Sequence, residues 1–166
     1  MENKEIGLKE TRKHIIDKWI VQYYDAVLGM ALRLTGNRDD AEDCAQDVFV
    51  KAWKKYHSFR GESHPLAWLK TITYNTCYNH LNRNKSKSWN EMDENRHSDE
   101  VIPEGQKRGF DPKHLKVLSP GERAVLMARI YESLSFKEVA ATLNISENSA
   151  KVSYHNAIKK LRKVML

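Results

Sequence analysis

An all-α protein made of two small helical units joined by a linker is what this sequence predicts, and three observations predict it. Strand signals are almost absent, while apolar residues recur at three- and four-residue steps along nearly the whole chain. That periodicity stops between residues 85 and 114, in a charged stretch that carries Pro103, Gly105, Gly109 and Pro112. Serine-led capping signals then restart helices on the far side. The expected division is therefore a helical domain over 1–84, a flexible linker over 85–114 and a second helical domain over 115–166. A chain of 166 residues, 40% hydrophobic, is long enough for packed cores in units of that size.

Each element has its own signature. From Thr11 to Thr35 the residues Ile15, Ile16, Trp19, Tyr23, Val27 and Leu34 trace one helical stripe, which Gly36-Asn37 ends. A second helix is expected from Asp39, with Glu42 three residues on as a capping-box partner. Ala41, Cys44, Ala45, Val48, Phe49, Ala52 and Trp53 form its apolar side. A loop, Ser58-Phe59-Arg60-Gly61-Glu62-Ser63-His64, leads to a third helix from about Pro65 to about Asn84. In the second unit Ser119-Pro120 starts a helix, Ser135 with Glu138 forms a capping box, and Ser146 opens the last helix. Asn144 stands where a tight turn wants a left-handed residue. The result reads as a helix-turn-helix.

A net charge of +6 and a pI near 9.2 point to a partner carrying negative charge, or simply to solubility. No apolar run approaches the ~20 residues of a membrane helix, and the start MENKEIGLKETRK has no signal-peptide core, so a cytoplasmic protein without membrane contact is expected. Cys44 and Cys77 fall inside helical patterns and are expected to pack as small apolar residues rather than to pair as a disulfide. Cys77 and His80 are too few for a zinc site, and no phosphate-cradling glycine loop is present, so no metal and no cofactor are expected.

Three surfaces carry chemistry. On the last helix Lys151, Val152, His155, Asn156, Lys159 and Arg162 lie away from the apolar side, and no acid follows Glu147. Such a face fits the DNA major groove, where Lys and Asn meet phosphates and base edges and Val152 could touch a thymine methyl; it also fits a merely solvated hairpin. On the second helix Asp43, Gln46 and Asp47 form a patch of acceptors, which suits either solvent or a basic helix of a partner. On the third helix Trp68, Thr71, Asn75 and Tyr78 share one face behind the 59–64 loop. Rings, amides and cations together suit a single nucleic-acid strand and an extruded base, and equally suit a buried helix whose amides bridge its neighbours.

Taken together, the blocks DDAEDCAQDVFVKAW, SFRGESHPLAWLKTITYNTCYN and LSPGERAVLMARIYESLSFKEVAATLNIS resemble bacterial RNA polymerase sigma factors of the extracytoplasmic-function type. The first two resemble sigma region 2 and the third resembles region 4. The resemblance implies a non-enzymatic subunit that binds core RNA polymerase and directs promoter recognition. It implies that Asp43, Gln46 and Asp47 dock on the clamp helices of the largest polymerase subunit. Phe59, Arg60, Gly61, Glu62, Ser63 and His64, with Asn75 and Asn79, would take an unpaired base of the minus-ten element. Asn148, Ser149, Lys151, Val152, His155, Asn156 and Lys159 would read the minus-35 duplex. Control by an anti-sigma factor over both domains is a further implication. The sequence departs from the family at the final turn, where Asn148-Ser149-Ala150 replaces a Gly-Thr-Val pattern and arginines near Ser153 and Asn156 are missing. Duplex contact would then lean on Lys151, Lys159 and Lys160. A stand-alone duplex-binding regulator is the alternative, as is a nucleic-acid-processing enzyme using Asp43 and Asp47, for which no ligand set is visible.

Overall fold

Gly36, at φ 75°, takes the left-handed conformation that ends the first helix, and its N–H closes on Leu32 O at 2.9 Å. This turn sets the pairing of the first two elements in the computed structural model, which describes residues 2–87 and 112–166. Helix α1 runs Glu2–Thr35 and α2 runs Arg38–Lys55; a 3-10 turn, Tyr56–Ser58, and an irregular loop lead to α3, Pro65–Lys87. Beyond come α4 (Pro112–Leu115), α5 (Pro120–Ile130), α6 (Phe136–Leu143) and α7 (Glu147–Met165). Among the described residues there are helices and no strands, as the periodicity requires.

Two boundaries differ from expectation. Helix α1 starts at Glu2 rather than Thr11, with Glu2 and Glu5 in its first turn where acids favour the helix dipole. Its first buried side chain is Ile16, so the added turns are carried on solvent-facing Lys and Glu. Helix α2 is capped by Asn37 and not by Asp39: the Asn37 Oδ1 accepts from Asp40 N at 2.9 Å, and Glu42 pairs with Arg38 at 2.7 Å instead of closing a box. The linker expected over 85–114 overlaps helix at both ends, in α3 as far as Lys87 and in α4; the rest of it, 88–111, lies outside the described residues.

Helices α1, α2 and α3 pack around Val27, Ala31, Ala45, Val48 and Leu69, all fully buried. The rings of Trp19, Tyr56, Phe59 and Trp68 form a cluster at one end, with Trp19 and Phe59 edge to face at 5.1 Å. Helix α3 is buried on more than one side, which explains its unusual composition. Thr73, Tyr74 and Thr76 are buried polar residues with partners: Thr73 Oγ1 donates to Leu69 O at 2.7 Å, and Thr76 Oγ1 accepts from Lys51 Nζ at 3.1 Å.

The second unit rests on caps. Ser119 and Ser135 each form a full capping box, with Glu122 and Glu138, and Ser146 accepts from Ser149 N at 3.0 Å. Between α6 and α7, Asn144 stands at φ 54° and ψ 48°, and Ile145 N reaches back to Ala140 O at 3.0 Å. Val139, Leu143, Ala150, Ala157 and Leu161 bury the seam of this helix-turn-helix.

The two units touch. Lys70 Nζ of α3 meets Glu132 Oε2 just past α5 at 2.7 Å, and the Tyr74 hydroxyl also bonds to Glu132. Burial, with Glu132 second, pushes the Tyr74 phenol far up, which keeps it a donor. Arg123 donates to Leu34 O at the end of α1 (3.2 Å) and to Leu115 O (2.6 Å). The Arg33 guanidinium lies 4.9 Å from the Tyr131 ring, and Gly121 leaves room for Tyr78.

Candidate nucleic-acid and protein interfaces

Helix α2 turns Ala41, Cys44, Ala45, Val48 and Ala52 inward, and that same rotation brings Asp43, Gln46 and Asp47 out to solvent. All three expected residues therefore lie on one exposed patch. Beside Gln46 opens an apolar cleft of about 360 Å³ between α1 and α2, lined by Ile20, Tyr24, Phe49, Val50 and Trp53. Ile20 and Val50 are exposed there, so the acidic patch continues into a hydrophobic one. Lys51, placed with these acids by helical period, instead reaches across to Thr76.

In the 59–64 loop, residues Arg60 to His64 are exposed, and Gly61 at φ 73° makes the turn. Phe59 differs from its neighbours: its ring is packed on Trp19 and Trp68 (5.1 and 5.3 Å), so it anchors the loop base. His64 Nδ1 accepts from Leu66 N at 3.2 Å and so caps α3, while its ring meets Tyr23 edge to face at 5.7 Å. Lys54, Lys55 and Arg60 are exposed cations within and just before the loop. Asn75 is half-buried and Asn79 exposed, further along α3. The free ring faces expected on α3 are absent, because Trp68 belongs to the aromatic cluster and Tyr78 packs toward Gly121.

Helix α7 presents Lys151, Val152, His155, Asn156 and Lys159 to solvent, with Asn148 and Ser149 exposed in its first turn. Lys151 pairs with Glu147 at 3.3 Å, an exposed contact that a phosphate can displace. Lys160 is different. Its Nζ lies 2.9 and 3.0 Å from the two Glu122 oxygens, tying α7 to the capping box of α5. Burial raises the Glu122 carboxyl, but Lys160 and Ser119 outweigh it and the net direction is down. Lys160, expected to share in duplex contact, is exposed and also holds a carboxylate of the second unit's core.

What sequence reasoning missed is the contact between the units: Arg33, Lys70 and Tyr74 on one side, Arg123, Tyr131 and Glu132 on the other. The one local signal was the pair of threonines and the tyrosine at 73, 74 and 76, too polar for an ordinary core stripe. Among the described residues no group of three or more His, Cys, Asp and Glu could hold a metal ion, and no helix is long and apolar enough to cross a membrane.

Comparison with known proteins matches the two helical units separately. Residues 19–87 match the family Sigma-70 region 2, and residues 114–163 match Sigma-70, region 4. RNA polymerase sigma factor YlaC of Bacillus subtilis (strain 168) is 30% identical over 152 residues, covering 87% of this chain and 88% of that protein. ECF RNA polymerase sigma factor SigX of the same organism is 23% identical over 154 residues, covering 86% of this chain and 79% of that protein. Among solved structures, the sigma factor RpoE in complex with the anti-sigma factor NepR from Bartonella quintana superposes with a TM-score of 0.67 at 25% identity. That match covers 90% of this chain and 95% of that one.

Proposed function

The chain belongs to the RNA polymerase sigma factors of the extracytoplasmic-function type, and from that premise we propose how its surfaces divide the work of starting transcription. It binds core RNA polymerase and directs it to promoter DNA, in the cytoplasm and without a catalytic step of its own. The unit over 1–84 carries Asp43, Gln46 and Asp47 to the clamp helices of the largest polymerase subunit. Its exposed loop, with Asn75 and Asn79, takes an unpaired base of the minus-ten strand. The unit over 115–166 lays α7 in the minus-35 duplex through Asn148, Ser149, Lys151, Val152, His155, Asn156 and Lys159. An anti-sigma factor, of the kind seen with RpoE, is the expected inhibitor.

The observation that carries this reading is the pairing of two exposed surfaces on one chain: a glycine-turned loop at the start of α3 with cations within and just before it, and a helix-turn-helix whose outer face holds cations and amides. Phe59 and His64 act within it as supports, one through ring packing and one as a cap, and the exposed residues between them meet the base. Extruding a base costs a few kcal/mol, a sum that pocket contacts and phosphate attraction can offset without chemistry.

Distance adds a requirement. Elements centred near minus ten and minus 35 lie about 25 base pairs apart, roughly 85 Å along the duplex. Helix α1, the longest element that touches both units, spans only ~51 Å for its 34 residues. The contacts of Lys70, Arg33 and Arg123 across the units therefore have to part before both elements are held.

The test is reconstitution with core RNA polymerase on a promoter library. A complex at micromolar protein and promoter-selective transcription are expected. Asp43→Lys with Asp47→Lys should weaken polymerase binding at least ~10-fold, since like charges then oppose the docking helices. Asn75→Ala should impair open-complex formation and spare polymerase binding. No complex, or equal loss of both activities in Asn75→Ala, overturns the corresponding assignment.

A further inference from the structure

Cys44 of α2 and Cys77 of α3 are both free and fully buried, and the packing of the two helices turns them toward one another: Cys44 lies one turn from Asp40 and Cys77 one turn from His80, and Asp40 and His80 are bonded across the helices. The helices are pinned near this level by two further cross-links, Lys51 Nζ to Thr76 Oγ1 and His80 Nε2 to Asp40 Oδ1, each at 3.1 Å. No surface assigned above uses either sulfur. Two buried nucleophilic side chains facing each other, on helices held together from more than one point, are a chemical site that polymerase and promoter binding leave unexplained.

We propose that Cys44 and Cys77 are a redox modification site, at which a peroxide converts the thiol pair into an internal disulfide linking α2 to α3. To bond, the two sulfurs must close to about 2.05 Å, a movement made by rotation of two unbranched side chains on helices that already pack together. The attacking sulfur is Cys44. The hydrogen bond with Cys77 lowers its thiol below the ordinary range against the opposing effect of burial, and His80 acts in the same direction. That same bond, and then burial, hold Cys77 up as a protonated thiol. The Cys44 thiolate attacks one peroxide oxygen and the O–O bond breaks, leaving a sulfenic acid on Cys44 and, after protonation, one water. The Cys77 sulfur then displaces the sulfenic hydroxyl, which leaves as a second water while the Cys77 thiol gives up its proton. In total two thiols lose two electrons and the peroxide gains them.

Access runs through a polar edge. His80 and Asp40, whose charges act on Cys44, have side chains 20% and 19% exposed, and their 3.1 Å contact is the kind of surface pair that opens locally. The disulfide would enclose residues 44–77, and with them the whole 59–64 loop, in a covalent ring. Such a ring restricts the unfolded chain and stabilises the folded one. This inference stands apart from the sigma-factor reading, since it needs only the two helices and their sulfurs.

The experiment treats the full chain with hydrogen peroxide at neutral pH, blocks remaining thiols, and maps peptides by mass spectrometry without reduction. The expected result is a Cys44–Cys77 peptide in monomeric protein, removed by dithiothreitol. With it should come a melting temperature raised by roughly 5–10 °C, as closing a ring of this length would give. The double variant Cys44→Ala with Cys77→Ala should show no shift on peroxide treatment, and Cys77→Ala alone should form no cross-link within the chain and show no rise in melting temperature. Cross-links only between chains overturn the proposal. So do two thiols still free at a dose that oxidises the urea-unfolded chain, or a melting temperature that falls on cross-linking.

Discussion

In the first unit α1, α2 and α3 run 34, 18 and 23 residues, and their stability comes from a shared apolar stripe. In the second, α5 and α6 are only 11 and 8 residues long, below the length at which a helix stands alone, and each is started by a serine capping box. The contrast matches the work proposed for each unit. A long three-helix bundle gives broad faces, one for a protein partner and one for a strand. A short α6 meeting α7 at Asn144 gives a fixed angle, which is what presents α7 to a groove. Long helices tolerate loose ends because burial elsewhere holds them. Short ones depend on where they begin.

The sharpest way to break the comparison is to remove burial from the first unit. Leu69→Ala, at a fully buried site facing the bundle, should lower stability by about 3 kcal/mol in urea denaturation. Next in size is the contact between units. Glu132→Ala leaves Lys70 and the buried Tyr74 hydroxyl without their acceptor, a loss of roughly 2 kcal/mol. Small-angle scattering should then report a larger radius of gyration, and the two units should melt separately; an unchanged radius would mean the other cross-contacts suffice. Ser135→Ala removes a cap and should cost about 1 kcal/mol, felt in the second unit alone.

The smallest effect is pH-dependent. Glu122 titrates below 4.5 in the folded chain, so its contribution is complete above that value and fades as pH falls through the lowered one. Glu122→Gln should therefore destabilise the protein at pH 7 and converge with the parent chain in strong acid, read as the difference in urea midpoints. A constant difference across that range would mean that Glu122 acts through packing rather than charge.

Helix positions, the start of α1 excepted, were legible to within a few residues because apolar spacing and serine caps are local properties of the chain. Ser119, Ser135, Ser146 and Asn144 all act as their sequence context predicts. The cap of α2 was misread because Asn37 and Asp39 are both competent; Asn37 wins because Gly36 turns the chain just before it, leaving its Oδ1 over the N–H of Asp40. The candidate surfaces were also readable, since exposure on a helix follows its rotation. Which of their groups are already engaged was not. Phe59, His64, Lys51 and Lys160 each meet a partner far along the chain or turned by the local fold, and nothing in their spacing announces it.

By itself, then, the chain of residues determined the helices, their buried stripes and the exposed faces proposed for polymerase and DNA, because those depend on periods of three and four residues. Only the tertiary structure decided that Cys44 and Cys77 face one another, that Lys160 is held by Glu122, and that Glu132 sits between Lys70 and Tyr74. The reason is physical. These pairs join positions 33 to 62 residues apart, brought together when separate helices share a core, and contact across such a distance leaves no trace in local sequence pattern.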